Sequence, residues 1–105
     1  MRLVDLEAEF VATTEQGYQR VETFAEAQGV AHLCPKCFAE NGGDVGTHWC
    51  ISWFAGRNTP STAVPSPRWQ ASGSSLEDLT LAPSIQIVGG CNWHGYIQNG
   101  AIVNA

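Results

Sequence analysis

The chain has 105 residues, a length that fits one domain with a thin core, the size at which natural domains often add a disulfide or a metal. Apolar residues make up 44% and charged residues 14%, which excludes a disordered chain, and the low charge with 11 glycines favours strands and turns over a helical bundle. The net charge of −5, with only 5 Lys and Arg, disfavours direct nucleic-acid binding, which needs cations to neutralise phosphate.

Acidic groups concentrate early, at Asp5, Glu7, Glu9, Glu15, Glu22 and Glu26. They read as a solvated face or, more sharply, as a surface that mimics nucleic acid and blocks a basic partner. The start, MRLVDLEAEF, has no apolar leader core, and no run approaches the ~18 apolar residues of a membrane span. The expected setting is cytoplasmic, where thiols stay reduced and cysteine pairs bind metal more often than they form disulfides.

In chain order, EFVATT predicts a strand. Val21, Phe24, Ala25 and Gln28 share one side of a possible short helix that Gly29 would terminate. VAHLCPKCF reads as a strand running into a knuckle, and ENGGDVG as a glycine-rich loop. THWCISWF then alternates, with Trp49, Ile51 and Trp53 on one face and His48, Cys50, Ser52 and Phe54 on the other. Residues 56 to 66 read as a surface loop. Short strands follow near RWQAS, LTL and SIQIV. WHGYIQNGAIVNA predicts a β-hairpin turning at Asn99-Gly100, because a type I′ turn needs positive φ at both central residues. The expected fold class is mainly β: residues 1 to 105 as a single zinc-binding domain, an antiparallel β-sandwich or roll with two zinc-knuckle turns and at most one short helix.

The chemistry concentrates in 4 cysteines and 3 histidines. Cys34 and Cys37 form a C-x-x-C, which lets two thiolates reach one tetrahedral Zn²⁺ from a tight turn. Cys91 and His94 offer a second pair at C-x-x-H spacing, after Gly89-Gly90, where the backbone can bend sharply. Together they predict a Cys₃His zinc site of Cys34, Cys37, Cys91 and His94. Residues 38 to 90 separate the pairs, far more than the ~15–20 of a compact zinc ribbon, so the intervening strands must fold back. His48 and Cys50, on one strand face, could replace a presumed ligand, although Cys50 also suits the core. A redox role for Cys34 and Cys37 would call for a βαβ pattern, which is missing. A Rieske cluster would need C-x-H in its first half, where this chain has His48-x-Cys50.

LCPKCFAENGGDVGTHW, LTLAPSI and CNWHGYIQNG together resemble a family of small phage and prophage proteins with a domain of unknown function. Some members bear the label "ammonia monooxygenase". The resemblance runs from about residue 29 to 103, and its motif positions here are Cys34, Cys37, His48, Cys91 and His94. It implies a phage or prophage origin and brings no activity. Three dispersed histidines do not build the imidazole site of a copper oxygenase.

Four protein ligands would leave no open position for water, so the metal would stabilise the fold. The expected function is therefore a structural-zinc protein acting on a host or virion protein partner, as virion component or inhibitor of a host defence complex. Trp69 and Trp93 are the candidate contact residues, with Trp49 and Trp53 expected in the core. The alternatives are a zinc-dependent hydrolase with an open metal position and Asp44 or Glu40 as base, and the acidic nucleic-acid mimic.

Overall fold

The computed structural model describes residues 1–59, 67–88 and 90–105. EFVATT forms β1 (Glu9–Thr14), as predicted, and a tight turn at Glu15-Gln16 returns the chain as β2 (Gly17–Val21). Residues 22 to 27 are turns and bends, so the helix expected there is absent. Val21 completes a strand opposite Phe10, and Phe24 packs on Phe10 and Phe54 without helical periodicity. β3 (Gly29–Leu33) pairs with β1, and β4 (Trp49–Trp53) pairs with β3, both antiparallel. The resulting sheet has the order β2-β1-β3-β4, with β4 at an edge.

The single α-helix among the described residues is α1 (Pro35–Asn41), where the sequence suggested a knuckle; Leu3–Leu6 form a short 3-10 helix. Its ends follow ordinary rules. Cys34 is the extended N-cap, Pro35 takes the first helical position with φ already set, and Gly42 closes the helix at φ 70.

β5 (Gln70–Ser72) and β6 (Thr80–Ala82) form a two-stranded ribbon. β7 (Ile85–Gln86), β8 (His94–Gln98) and β9 (Ala101–Asn104) form a three-stranded sheet in that order. The β8–β9 turn is the predicted one, with Asn99 at φ 49 and Gly100 at φ 74. Most of the loop expected over residues 56 to 66 lies outside the described residues, as does Gly89.

The sheets face each other across one core. Val30 and Cys50 from the larger sheet, with Phe54 just beyond β4, meet Trp69, Leu81, Ile85, Trp93 and Ile97. Removing this apolar surface from water is the main stabilising term, about 25 cal/mol per Å². The fold is thus mainly β and antiparallel, as expected. The tryptophans are inverted: Trp69 (8% exposed) and Trp93 (3%) are core, while Trp49 is 50% exposed. The β4 alternation was legible, but His48 and Cys50 mark its inward face because they turn toward the other thiols. No described helix is long and apolar enough to cross a membrane.

Candidate functional site

Two groups of side chains share the end of the molecule where β3, α1 and the β7–β8 connection meet. The first is Cys34, Cys37, His48 and Cys91, whose ligand atoms all lie within 4.8 Å of one another. Cys34 and Cys37 come together because one is the N-cap of α1 and the other lies three residues on, in its first turn. His48 arrives just before β4, where its carbonyl accepts a hydrogen bond from the Cys34 N–H at 2.9 Å. Cys91 is tethered by Lys36, whose Nζ donates to the Cys91 carbonyl at 2.7 Å.

The spacing fits one tetrahedral ion. Bonds of ~2.3 Å to sulfur and ~2.0 Å to nitrogen put neighbouring ligand atoms about 3.5–3.8 Å apart. Cys34 Sγ and Cys91 Sγ are 3.5 Å apart, and His48 Nε2 lies 3.4 Å from Cys91 Sγ. His48 Nδ1 approaches the Trp49 carbonyl at 3.4 Å, which favours the tautomer that leaves Nε2 free to ligate. Without metal, the His48 hydrogen bond, opposed by desolvation, brings the Cys91 thiol down to about 7. A bond from the Trp93 N–H to the sulfur adds to that lowering. Desolvation, reinforced by the neighbouring thiols, pushes Cys37 up to about 12. Metal binding would displace these protons. Cys50 is buried beside the four, its thiol raised to about 12 by desolvation first and by Cys34 next, and it belongs to the core.

The cluster draws in His48 where the sequence suggested His94. His94 opens β8 with its side chain on the exposed face, opposite to that of its buried neighbour Trp93. There it meets the second group: His94 Nε2 is 3.0 Å from Ser84 Oγ. The register explains the meeting. Gln86 pairs with His94, and Ser84, two residues before Gln86, sits diagonally on the same face. Trp69 secures the Ser84 backbone by donating its Nε1 hydrogen to the Ser84 carbonyl at 3.2 Å. Tyr96 lies against the imidazole, with ring centroids 6.4 Å apart. Among the described residues, no carboxylate is hydrogen-bonded to His94.

Sequence reasoning missed Ser84. It stands in LTLAPSI, but a lone serine carries no spacing signature, and its partner was assigned to the metal. Of the other candidates, Asp44 and Glu40 are exposed and neither belongs to the metal cluster, though Glu40 lines a cavity together with His94. His32 is buried on β3 against the edge of Trp93, and burial lowers its pKa.

A small antiparallel β domain that joins a four-residue cluster able to hold a metal to a half-buried serine and an exposed histidine in hydrogen-bond reach carries the elements of a hydrolase. The family model described as "Bacterial ubiquitination-like system serine protease (BubE)" matches residues 6–105, and the chain belongs to this family. No curated protein and no solved structure matches it. The family overturns the expectation of a phage structural protein or inhibitor acting by contact alone, and with it the zinc-hydrolase and nucleic-acid-mimic alternatives. The system named is a bacterial one, and its ubiquitination-like character implies protein partners.

Proposed function

We propose that the chain is a serine peptidase of a ubiquitination-like system, with Ser84 as nucleophile and His94 as general base. The carrying observation is the 3.0 Å contact between Ser84 Oγ and His94 Nε2, within the ~2.6–3.2 Å reach that proton transfer needs. Ser84 Oγ attacks the scissile carbonyl carbon as His94 Nε2 takes the hydroxyl proton. The C–N bond then breaks, and the leaving amine takes that proton from His94. Water attacks the acyl-serine ester, gives its proton to His94, and the carboxylate leaves as the proton returns to Ser84. The base form of His94 carries its hydrogen on Nδ1.

The pair lies on the open face of the sheet, which suits a folded protein substrate that brings its own tail to the serine. The substrate class is a ubiquitin-fold protein with a C-terminal extension, consistent with the system the family serves. Zinc is the ion that best suits three thiolates and one imidazole. Held by Cys34, Cys37, His48 and Cys91, it would have no open position and would serve the fold, fixing the start of the segment that delivers His94.

The test is incubation of a bacterial ubiquitin-fold protein bearing a C-terminal extension with wild-type protein and Ser84→Ala, followed by intact-mass spectrometry. Tail removal by wild type alone supports the reading. Equal removal by Ser84→Ala refutes it.

A further inference from the structure

The larger sheet ends in the β4 edge and the smaller one in the β7 edge, and a groove of about 220 Å³ lies between them. Trp69, Ile85 and Ile87 give it an apolar lining, and His48 and Trp49 flank it. Among the described residues, neither edge is paired along its length with another strand, and β4 meets only Trp69 at its end.

The register says which main-chain groups face this groove. The Cys34 N–H bonds to His48 at 2.9 Å, and the Phe54 N–H bonds to Gln28 at 2.7 Å. Antiparallel alternation therefore commits the main chain of residues 48, 50, 52 and 54 to β3 and turns that of 49, 51 and 53 outward. Two of these outward carbonyls are occupied: Trp53 accepts from the Trp69 N–H, and Trp49 accepts from His48. Between them, the Ile51 N–H and C=O have no partner among the described residues. On the facing edge, the Ile87 N–H bonds to Trp93, which commits Ile87 and Ile85 to β8 and turns the Gln86 N–H and C=O outward.

We infer that this groove binds an extended peptide segment of the substrate by strand addition, with main-chain hydrogen bonds to Ile51 and Gln86. The inference rests on the assignment of Ser84 as nucleophile and says how the scissile bond is brought to it. The groove is continuous with the nucleophile: Ser84 directly precedes Ile85, and Trp69, part of the lining, holds the Ser84 carbonyl. A peptide in this slot is registered by its backbone, and Trp69, Ile85 and Ile87 select apolar or small side chains at alternate positions. An extended tail suits such a slot, since a folded segment has its main-chain groups already paired.

The experiment compares two probes on the full chain. p-Nitrophenyl acetate reports the serine alone, and a positional-scanning set of fluorogenic hexapeptide amides reports serine and groove together. Ile51→Pro deletes the outward N–H while leaving the β3–β4 ladder bonds intact, and Ile51→Ala controls for the side chain. Wild type should prefer its best hexapeptide to that peptide's single-residue analogue by at least about tenfold in kcat/KM. Ile51→Pro should lower hexapeptide turnover about tenfold, with acetate hydrolysis within about twofold of wild type and Ile51→Ala near wild type. Should Ile51→Pro fail to fold, a backbone N-methyl scan of the same hexapeptide on wild type gives the same readout, with a loss confined to alternate positions. No preference for the hexapeptide, equal loss on both probes, or indifference to every N-methyl group would overturn the inference. Acetate hydrolysis that persists in Ser84→Ala would instead remove the nucleophile assignment, so the two failures are distinguishable.

Discussion

Ser84 Oγ stands 3.0 Å from His94 Nε2 across the β7–β8 diagonal, and His94 follows Cys91, a member of the four-ligand cluster, by three residues. The segment Cys91–His94 therefore joins the two sites. Its first residue turns to the cluster, Trp93 is driven into the core, and its last residue presents an imidazole to the serine. The relationship separates residues whose loss should abolish chemistry from those whose loss should also weaken the fold.

Ser84→Ala and His94→Ala should each lower kcat/KM at least about 10³-fold, and the double variant should be no worse than the weaker single one. Both side chains reach solvent, so melting temperatures should stay close to wild type. Steady-state kinetics with thermal melts check this, and additive losses would mean that the two do not act as a unit.

Metal content should divide the two histidines. His48→Ala and Cys34→Ser should lose the ion, and His94→Ala should keep it, as native mass spectrometry would report. Loss of the ion should also cost stability. Even about 2 kcal/mol corresponds to roughly 8–16 °C in Tm for a chain of this size. Because β8 starts beside the cluster, chelation should reduce activity and Tm together.

Asp78 offers a pH dependence of known sign. Its carboxylate accepts from the Ser74 and Ser75 N–H groups at 2.8 Å each, and these bonds, with the Ser74 hydroxyl, hold its pKa near about 2. A depressed carboxylate favours the folded state at all pH above its unfolded value of ~3.9, and that contribution fades as pH falls to about 2. Thermal melts of wild type and Asp78→Asn should differ at pH 6 and converge near pH 2. A constant difference would mean that charge plays no part.

Two glycines at similar φ should respond differently to alanine. Gly42, at φ 70, has open space where a Cβ would sit, so Gly42→Ala should cost about 1 kcal/mol of backbone strain. Gly100, at φ 74, would drive its Cβ into the Glu77 carbonyl, so Gly100→Ala should cost clearly more and disturb the β8–β9 hairpin. Denaturant unfolding of the two variants supplies the comparison.

Local signals carried much of the fold. The β-branched run of EFVATT and the Asn99-Gly100 turn are determined by neighbours in sequence, and both were legible. Helix α1 was written as Pro35 and Gly42, seven residues apart, but the two cysteines drew attention to a knuckle instead. The inward face of β4 could not be chosen by alternation alone, since two tryptophans faced a histidine and a cysteine, and the cluster settled it. His48 was visible as a possible ligand because it shares a face with Cys50. Its choice over His94 depends on β8 turning His94 outward, a long-range consequence of burying Trp93. The Ser84–His94 pair depends on strand register between segments joined by a loop, which no spacing rule encodes.

The most direct measurement is labelling with a fluorophosphonate probe, with the modified residue mapped by peptide mass spectrometry. Stoichiometric labelling of Ser84, abolished in Ser84→Ala and strongly slowed in His94→Ala, is the predicted result. Labelling at another serine, or none in folded metal-loaded protein, would contradict the assignment of Ser84 as nucleophile.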